Sequence, residues 1–211
     1  MEKLTLLEIV QSVLSSMDGD SVSAISDTVE SDQIVQIAHD VYNSMMAAAD
    51  WAHLKTVVQL EASGDSTKPT LMSLPDDVAE VLDIRYNITQ DGDVNTRWSK
   101  PLEYVDSHEF LNRVYQRNTS NDNVGTETTS EGISILYLND TAPTFYTSFD
   151  DNVVIFDAYD SVVDTTLQSS KTAANVIKST SWTNSNTFVP DMPARMFSTY
   201  LEKVRLVAGG C

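Results

Sequence analysis

The chain has 211 residues, 41% of them hydrophobic, which is enough to bury a sizeable core as one domain or one domain with an insertion, and disorder is not the default. Lys and Arg total 13 against 31 Asp and Glu, a formal charge of −18 spread along the chain; such a surface repels polyphosphates, so gripping DNA directly is disfavoured, while letting DNA slide past is not. The only cysteine, Cys211, is the last residue, so no intrachain disulfide is expected.

No basic segment with an apolar core and cleavage site follows Met1-Glu2-Lys3, and every apolar run is far shorter than the roughly 20 residues needed to cross a bilayer. The expectation is a soluble protein made in a reducing cytoplasm, with no membrane partner.

The first element is predicted from Thr5, whose hydroxyl can cap a helix while Glu8 returns a bond to the cap amide. Leu6, Ile9, Val10, Val13, Leu14 and Met17 follow at spacings of three and four, which makes one apolar stripe. Asp18-Gly19-Asp20 ends it. A second cap pair, Asp27 and Glu30, precedes Ile34, Ile37, Ala38, Val41, Tyr42 and Met45 at the same spacing. Two amphipathic helices alone make a thin core, so their remaining apolar surface must meet something else.

After Trp51 the period shortens. Residues 56–60 read as a strand, Gly64-Asp65-Ser66-Thr67 as a turn, and Thr70 to Leu74 as the next strand. Leu82, Ile84, Tyr86 and Ile88 alternate with Asp83, Arg85 and Asn87, the pattern of a half-buried strand. Asp106 and Glu109 form another cap pair, ahead of a short helix near 107–116 with Phe110, Leu111, Val114 and Tyr115 on one side. Residues 118–131 are polar and contain Gly125, which predicts a mobile surface loop.

Strands are expected again over 133–138 and 144–149, separated by a turn at 139–143. Val153-Val154-Ile155-Phe156 is apolar at consecutive positions, so both faces should be covered, one by core and the other by a helix or a neighbouring subunit. From Thr165 to Thr187 the chain is rich in Ser, Thr and Asn. Pro190 and Pro193 then bracket Asp191, a candidate cap for a last helix carrying Phe197, Tyr200, Leu201 and Val204 before Gly209-Gly210.

The predicted class is α+β: a helical bundle built from the N- and C-terminal helices, residues 1–55 and 190–211, with a β-rich insertion over 56–189, sandwich or barrel-like.

Chemistry is sparse. His39, His53 and His108 have no second His or Cys at metal-ligand spacing, so no metal site is predicted. No Gly-x-Ser-x-Gly and no phosphate-cradling glycine loop occurs, and neither catalytic residues nor a cofactor are predicted. The densest carboxylates are Asp150, Asp151, Asp157, Asp160 and Asp164. They lack the loop spacing of a calcium site and read as turn and solvated-face residues. Tyr137, Phe145, Tyr146, Phe149, Phe156 and Tyr159 could stack sugars or bases. With no Lys or Arg between Gly132 and Gln168, core packing is the better account.

Several stretches resemble the head-to-tail adaptor, or connector, family of short-tailed bacteriophages. They are Leu4-Thr5-Leu6-Leu7-Glu8-Ile9-Val10, Ile25-Ser26-Asp27-Thr28-Val29-Glu30-Ser31, Leu74-Pro75-Asp76-Asp77-Val78 with Ile84-Arg85-Tyr86-Asn87, Phe110-Leu111-Asn112-Arg113, and the run from Asn139 to Asp151. The resemblance spans nearly the whole chain. It implies a non-enzymatic virion structural protein with a helical bundle and β-rich insertion. Twelve copies would form a ring at the head-tail junction, between the portal protein and the tail nozzle or tube protein, with genomic DNA passing through the lumen without specific binding.

Adaptors of this type are expected to continue past the final helix with a longer, often basic tail that engages the portal, where this sequence ends at Gly209-Gly210-Cys211. The candidate docking segments are therefore the stretch from Asn118 to Glu131 and the final helix, with Arg195, Lys203 and Arg205 beside Phe197 and Tyr200. Two other readings stay open: a carbohydrate-binding or adhesion β module, and a carboxylate-dependent hydrolase.

Overall fold

The computed structural model describes residues 3–89, 94–150, 152–161 and 171–210. Asp151, Asp164 and Cys211, singled out above, lie outside the described residues. The chain is α+β and divides into two compact units, Met1–Leu54 with Ser179–Cys211, and Lys55–Lys178.

In the first unit, helix α1 spans Leu6–Ser16. Its capping box is complete: Thr5 Oγ1 accepts the Glu8 amide at 3.3 Å, and Glu8 Oε2 accepts the Thr5 amide at 2.7 Å. The Thr5 amide, and the Thr5 hydroxyl donating to the same Oε2 at 2.9 Å, hold the Glu8 carboxyl below the usual carboxylate range. Leu6, Ile9, Val10, Val13 and Leu14 form the buried face, and the helix ends where Met17 leaves helical geometry and Asp18 takes a left-handed φ of 56°.

Helix α2, Val29–Ala47, is capped one residue later than expected. Thr28 Oγ1 accepts the Ser31 amide, and Ser31 Oγ accepts the Thr28 amide, both at 3.1 Å. Asp27 instead takes the amides of Ser23 and Ala24 at 2.7 and 2.8 Å, which orders the link between the helices. Two cap-competent pairs, Asp27 with Glu30 and Thr28 with Ser31, stand one position apart here, and the local backbone decides which one caps.

Helix α4, Ala194–Gly209, starts after Pro193 with no side-chain cap. Asp191 is not its cap; the Asp191 carbonyl accepts the Tyr42 hydroxyl at 3.1 Å. Residues 179–189, assigned above to the β-rich part, belong with the helices. The carbonyls of Phe188 and Asn186 accept the Leu6 and Leu7 amides at 2.7 and 3.3 Å, two of the first-turn donors that a helix cannot satisfy itself. Trp182 stacks on His39 at 4.8 Å and meets Phe188 at 4.9 Å. The three helices and this segment share one core.

Among the described residues the second unit holds ten strands and helix α3 (Ser107–Val114). One sheet has the order β1 (Lys55–Val58), β10 (Thr172–Lys178), β4 (Val78–Tyr86), antiparallel throughout. The other runs β2 (Glu61–Ala62), β3 (Leu71–Ser73), β9 (Val153–Phe156), β8 (Phe145–Asp150), β5 (Glu103–Tyr104), with only β5 parallel to its neighbour. The sheets face each other across Met72, Ile84, Tyr146, Val154, Phe156, Ala174 and Val176, a sandwich packing.

Strand β9 has both faces covered within its own unit. Val154 and Phe156 enter the sandwich core, while Ile155 and Val153 turn to a second core with Phe110 and Val114 of α3 (Ser107–Val114) and Ile135. The consecutive apolar run therefore needs no neighbouring subunit to explain it.

Strands also lie where the sequence pattern predicts none, among them the two-residue β2 and β5 and two longer ones. Residues 118–131, expected as a loop, contain β6 (Val124–Thr128), which pairs antiparallel with β7 (Ser134–Leu138). The Ser/Thr-rich stretch contains β10, the centre of its sheet.

Candidate docking surfaces

Helix α4 separates the five candidate residues onto different faces. Phe197 and Tyr200 are 1% and 0% exposed and lie in the helical core with Val204 and Ala208. The Tyr200 hydroxyl donates to the Ala38 carbonyl of α2 at 2.9 Å. Burial pushes the Tyr42 phenol up to about 12 and the Tyr200 phenol up as well, so both remain protonated donors. Burying a Phe-sized side chain contributes about 2–3 kcal/mol, so Phe197 serves the fold and is not available to a partner. This corrects the sequence expectation for both aromatics. Their spacing of three, continued by Val204, is the signal of a core stripe.

Arg195, Lys203 and Arg205 stand on the exposed side. Arg205 Nη2 donates to Ser12 Oγ of α1 at 2.5 Å. Leu206, 77% exposed, follows it on the helix. An apolar hollow lined by Met17, Ile34, Ile37 and Ala208, with Glu30, Gln33 and Gln36, lies among the three helices.

The 118–131 stretch is anchored as a hairpin. Arg117 holds the base: Nη1 donates to the carbonyls of Leu136 and Asp157, and Nη2 to Asp157 Oδ2 at 2.8 Å. Asp157 Oδ1 also accepts the amides of Thr144 and Phe145 at 2.8 and 3.1 Å. Halfway along β6, buried Glu127 accepts the Thr70 amide at 3.2 Å and the Thr70 hydroxyl. Burial pushes its carboxyl up, and the Thr70 bonds and Lys68 offset this only in part. Across the ladder, the Tyr137 ring lies over Gly125, where a Cβ would meet Cζ at 2.3 Å.

Among the described residues, Asp150, Asp157 and Asp160 do not converge on one site. Asp157 is locked by Arg117, Asp150 is exposed at the end of β8, and Asp160 bridges to Asp140. Among the described residues no group of three or more His, Cys, Asp or Glu is placed to hold a metal ion. His53 approaches the Asp191 carbonyl at 3.4 Å, and His108 is exposed in the first turn of α3. Phe156 and Tyr146 are buried, and Phe145 and Phe149 meet Phe110 edge-on at 5.5 and 6.4 Å. The cations absent from that stretch of sequence arrive from α3 and the turn after it, with the Arg113 and Arg117 guanidinium carbons 5.3 and 5.9 Å from the Phe145 ring centroid.

Sequence reasoning did not anticipate a groove of about 360 Å³ in the second unit, lined by Val78–Leu82 of β4 and by Leu74, Tyr104, Tyr146, Ser148, Asp150 and Val154. Its walls come from segments some 70 residues apart in the chain, a separation that no local pattern reports. Among the described residues no helix is long and apolar enough to cross a membrane. No protein-family model matches the chain, and no curated protein matches it.

Proposed function

We propose that this chain is a virion structural protein, a head-to-tail adaptor of a short-tailed bacteriophage. Twelve copies form a ring between the portal protein and the tail nozzle or tube protein, at the head-tail junction of particles assembled in the bacterial cytoplasm. The observation that carries the reading is the division of the chain: its two ends build one helical unit, and residues 55–178 build a separate β-rich unit between them. The resemblance of the ordered sequence stretches to adaptors implies that arrangement.

The charge supports a passive channel. A lumen wall with little positive charge releases few counterions on contact with DNA and holds it weakly, consistent with the total of −18. A closed ring needs two different, mutually complementary patches on each subunit. The exposed face of α4, with Arg195, Lys203, Arg205 and Leu206, is one candidate patch. The exposed tip of the β6–β7 hairpin, 130–134, is another.

Mass photometry of the purified chain, alone and with its portal, tests the reading. Species at twelve times the 23.3 kDa of one chain support it. A monomer that stays monomeric with portal present counts against it.

A further inference from the structure

The groove in the β-rich unit lies between two open strand edges. Among the described residues, strand β4 ends its sheet with β10 on one side. On its outer side, Leu102 and Ser99 donate to the carbonyls of Ile84 and Tyr86, and the Val78 amide turns to the Pro75 carbonyl at 3.0 Å, but among the described residues no strand pairs with Val78–Leu82 on that side. Strand β8 is flanked by β5 only at Phe145 and Tyr146. Among the described residues no strand flanks its continuation on that side, and Ser148 and Asp150 form the opposite wall.

Open edges of this kind present unpaired amides and carbonyls to any extended chain, and proteins usually cover or blunt them. Here the blunting is partial. Register shifts against β10 leave Ala79 and Leu82 without a partner, and such bulges twist an edge so that a whole second sheet cannot continue it. A single short segment can still follow the twist. The exposed side chains offer it apolar contact, with Leu82 39% and Tyr104 59% exposed and Tyr104 edge-on to Tyr146 at 5.5 Å.

Charge selects the occupant. Glu80 and Asp150 are exposed on the groove walls, and among the described residues no Lys or Arg lines it. A second copy of a chain with a net charge of −18 is a poor fit to an acidic groove. We propose that the groove binds an extended, basic segment of a partner protein, which adds a strand to the open edge of β4 over Val78–Leu82. Main-chain bonds would supply affinity, and alternate side chains specificity: apolar ones toward Tyr104 and Tyr146, cationic ones toward Glu80 and Asp150. The inference does not depend on the adaptor reading.

The full chain is titrated with a labelled peptide of alternating lysine and valine, and with a glutamate–valine control, while fluorescence anisotropy and amide hydrogen exchange are followed. The lysine peptide is expected to bind and to slow exchange of the Val78–Leu82 amides at least ~10-fold, with the control at least ~10-fold weaker. In the double variant Glu80→Lys, Asp150→Lys that preference should reverse; both positions are exposed, and the exchange data on the unaltered chain stand alone if the variant does not fold. The proposal is overturned by protection elsewhere or nowhere, by equal binding of both peptides, or by protection of Val78–Leu82 that rises with protein concentration without peptide, which would make the occupant a second copy.

Discussion

The Arg117 guanidinium meets the Asp157 carboxylate at 2.8 Å, with the two side chains only 13% and 4% exposed, and this pair ties the turn after α3 to the end of β9. Each partner also bonds main chain: Arg117 to two carbonyls, Asp157 to two amides. Removing one side leaves a buried charge and several orphaned groups. Arg117→Met should therefore cost about 3–5 kcal/mol, read as a lowered denaturation midpoint. A change under 1 kcal/mol would show the pair to be incidental.

Glu127 should make stability pH-dependent in the unusual direction for a carboxylate. Its folded pKa is raised, so above the ordinary carboxyl range the folded chain holds a proton that the unfolded chain has released. Its contribution falls as pH rises from that range through the raised value. Urea unfolding of Glu127→Gln across that window should show less loss of stability with rising pH than the parent chain. An unchanged slope would mean that the buried carboxyl does not titrate there.

The cap of α2 supplies a comparison between neighbours. Thr28→Ala should cost about 1 kcal/mol, as should Thr5→Ala at α1. Asp27→Ala should disturb the link over 23–27 while leaving the helix start in place. Thermal melts, with amide exchange at Ser31 as the local readout, separate the two.

Gly125 and Tyr137 should behave as a coupled pair. Gly125→Ala puts a methyl into the Tyr137 ring position and should destabilise the β6–β7 hairpin by about 1–3 kcal/mol. The double substitution with Tyr137→Ala should cost less than the sum of the singles. Strict additivity would show that the ring moves aside freely.

The parts of the fold visible in the sequence were those with local signals. The Thr5 and Glu8 capping box and the stripe from Leu6 to Leu14 are complete within three turns. The alternation through Ile84 and Tyr86 needs only one strand to be seen. Strand β10 was hidden because two of its three inward residues, Thr172 and Ala174, are small or polar, and its stability comes from β1 and β4 on either side. Strand β6 was hidden because its buried residue is Glu127, acceptable only once Thr70, 57 positions away, donates to it. Two of the docking candidates, Phe197 and Tyr200, failed for a different reason: they stood beside cations in sequence, while the local helical period placed them on the buried face.

The adaptor reading is tested most directly by electron microscopy of the full chain mixed with its portal. Rings with an open central channel, twelve-fold in projection and seated on one end of the portal, are the expected result. Particles of single subunits, or portals that remain bare at saturating concentrations of the chain, would contradict it.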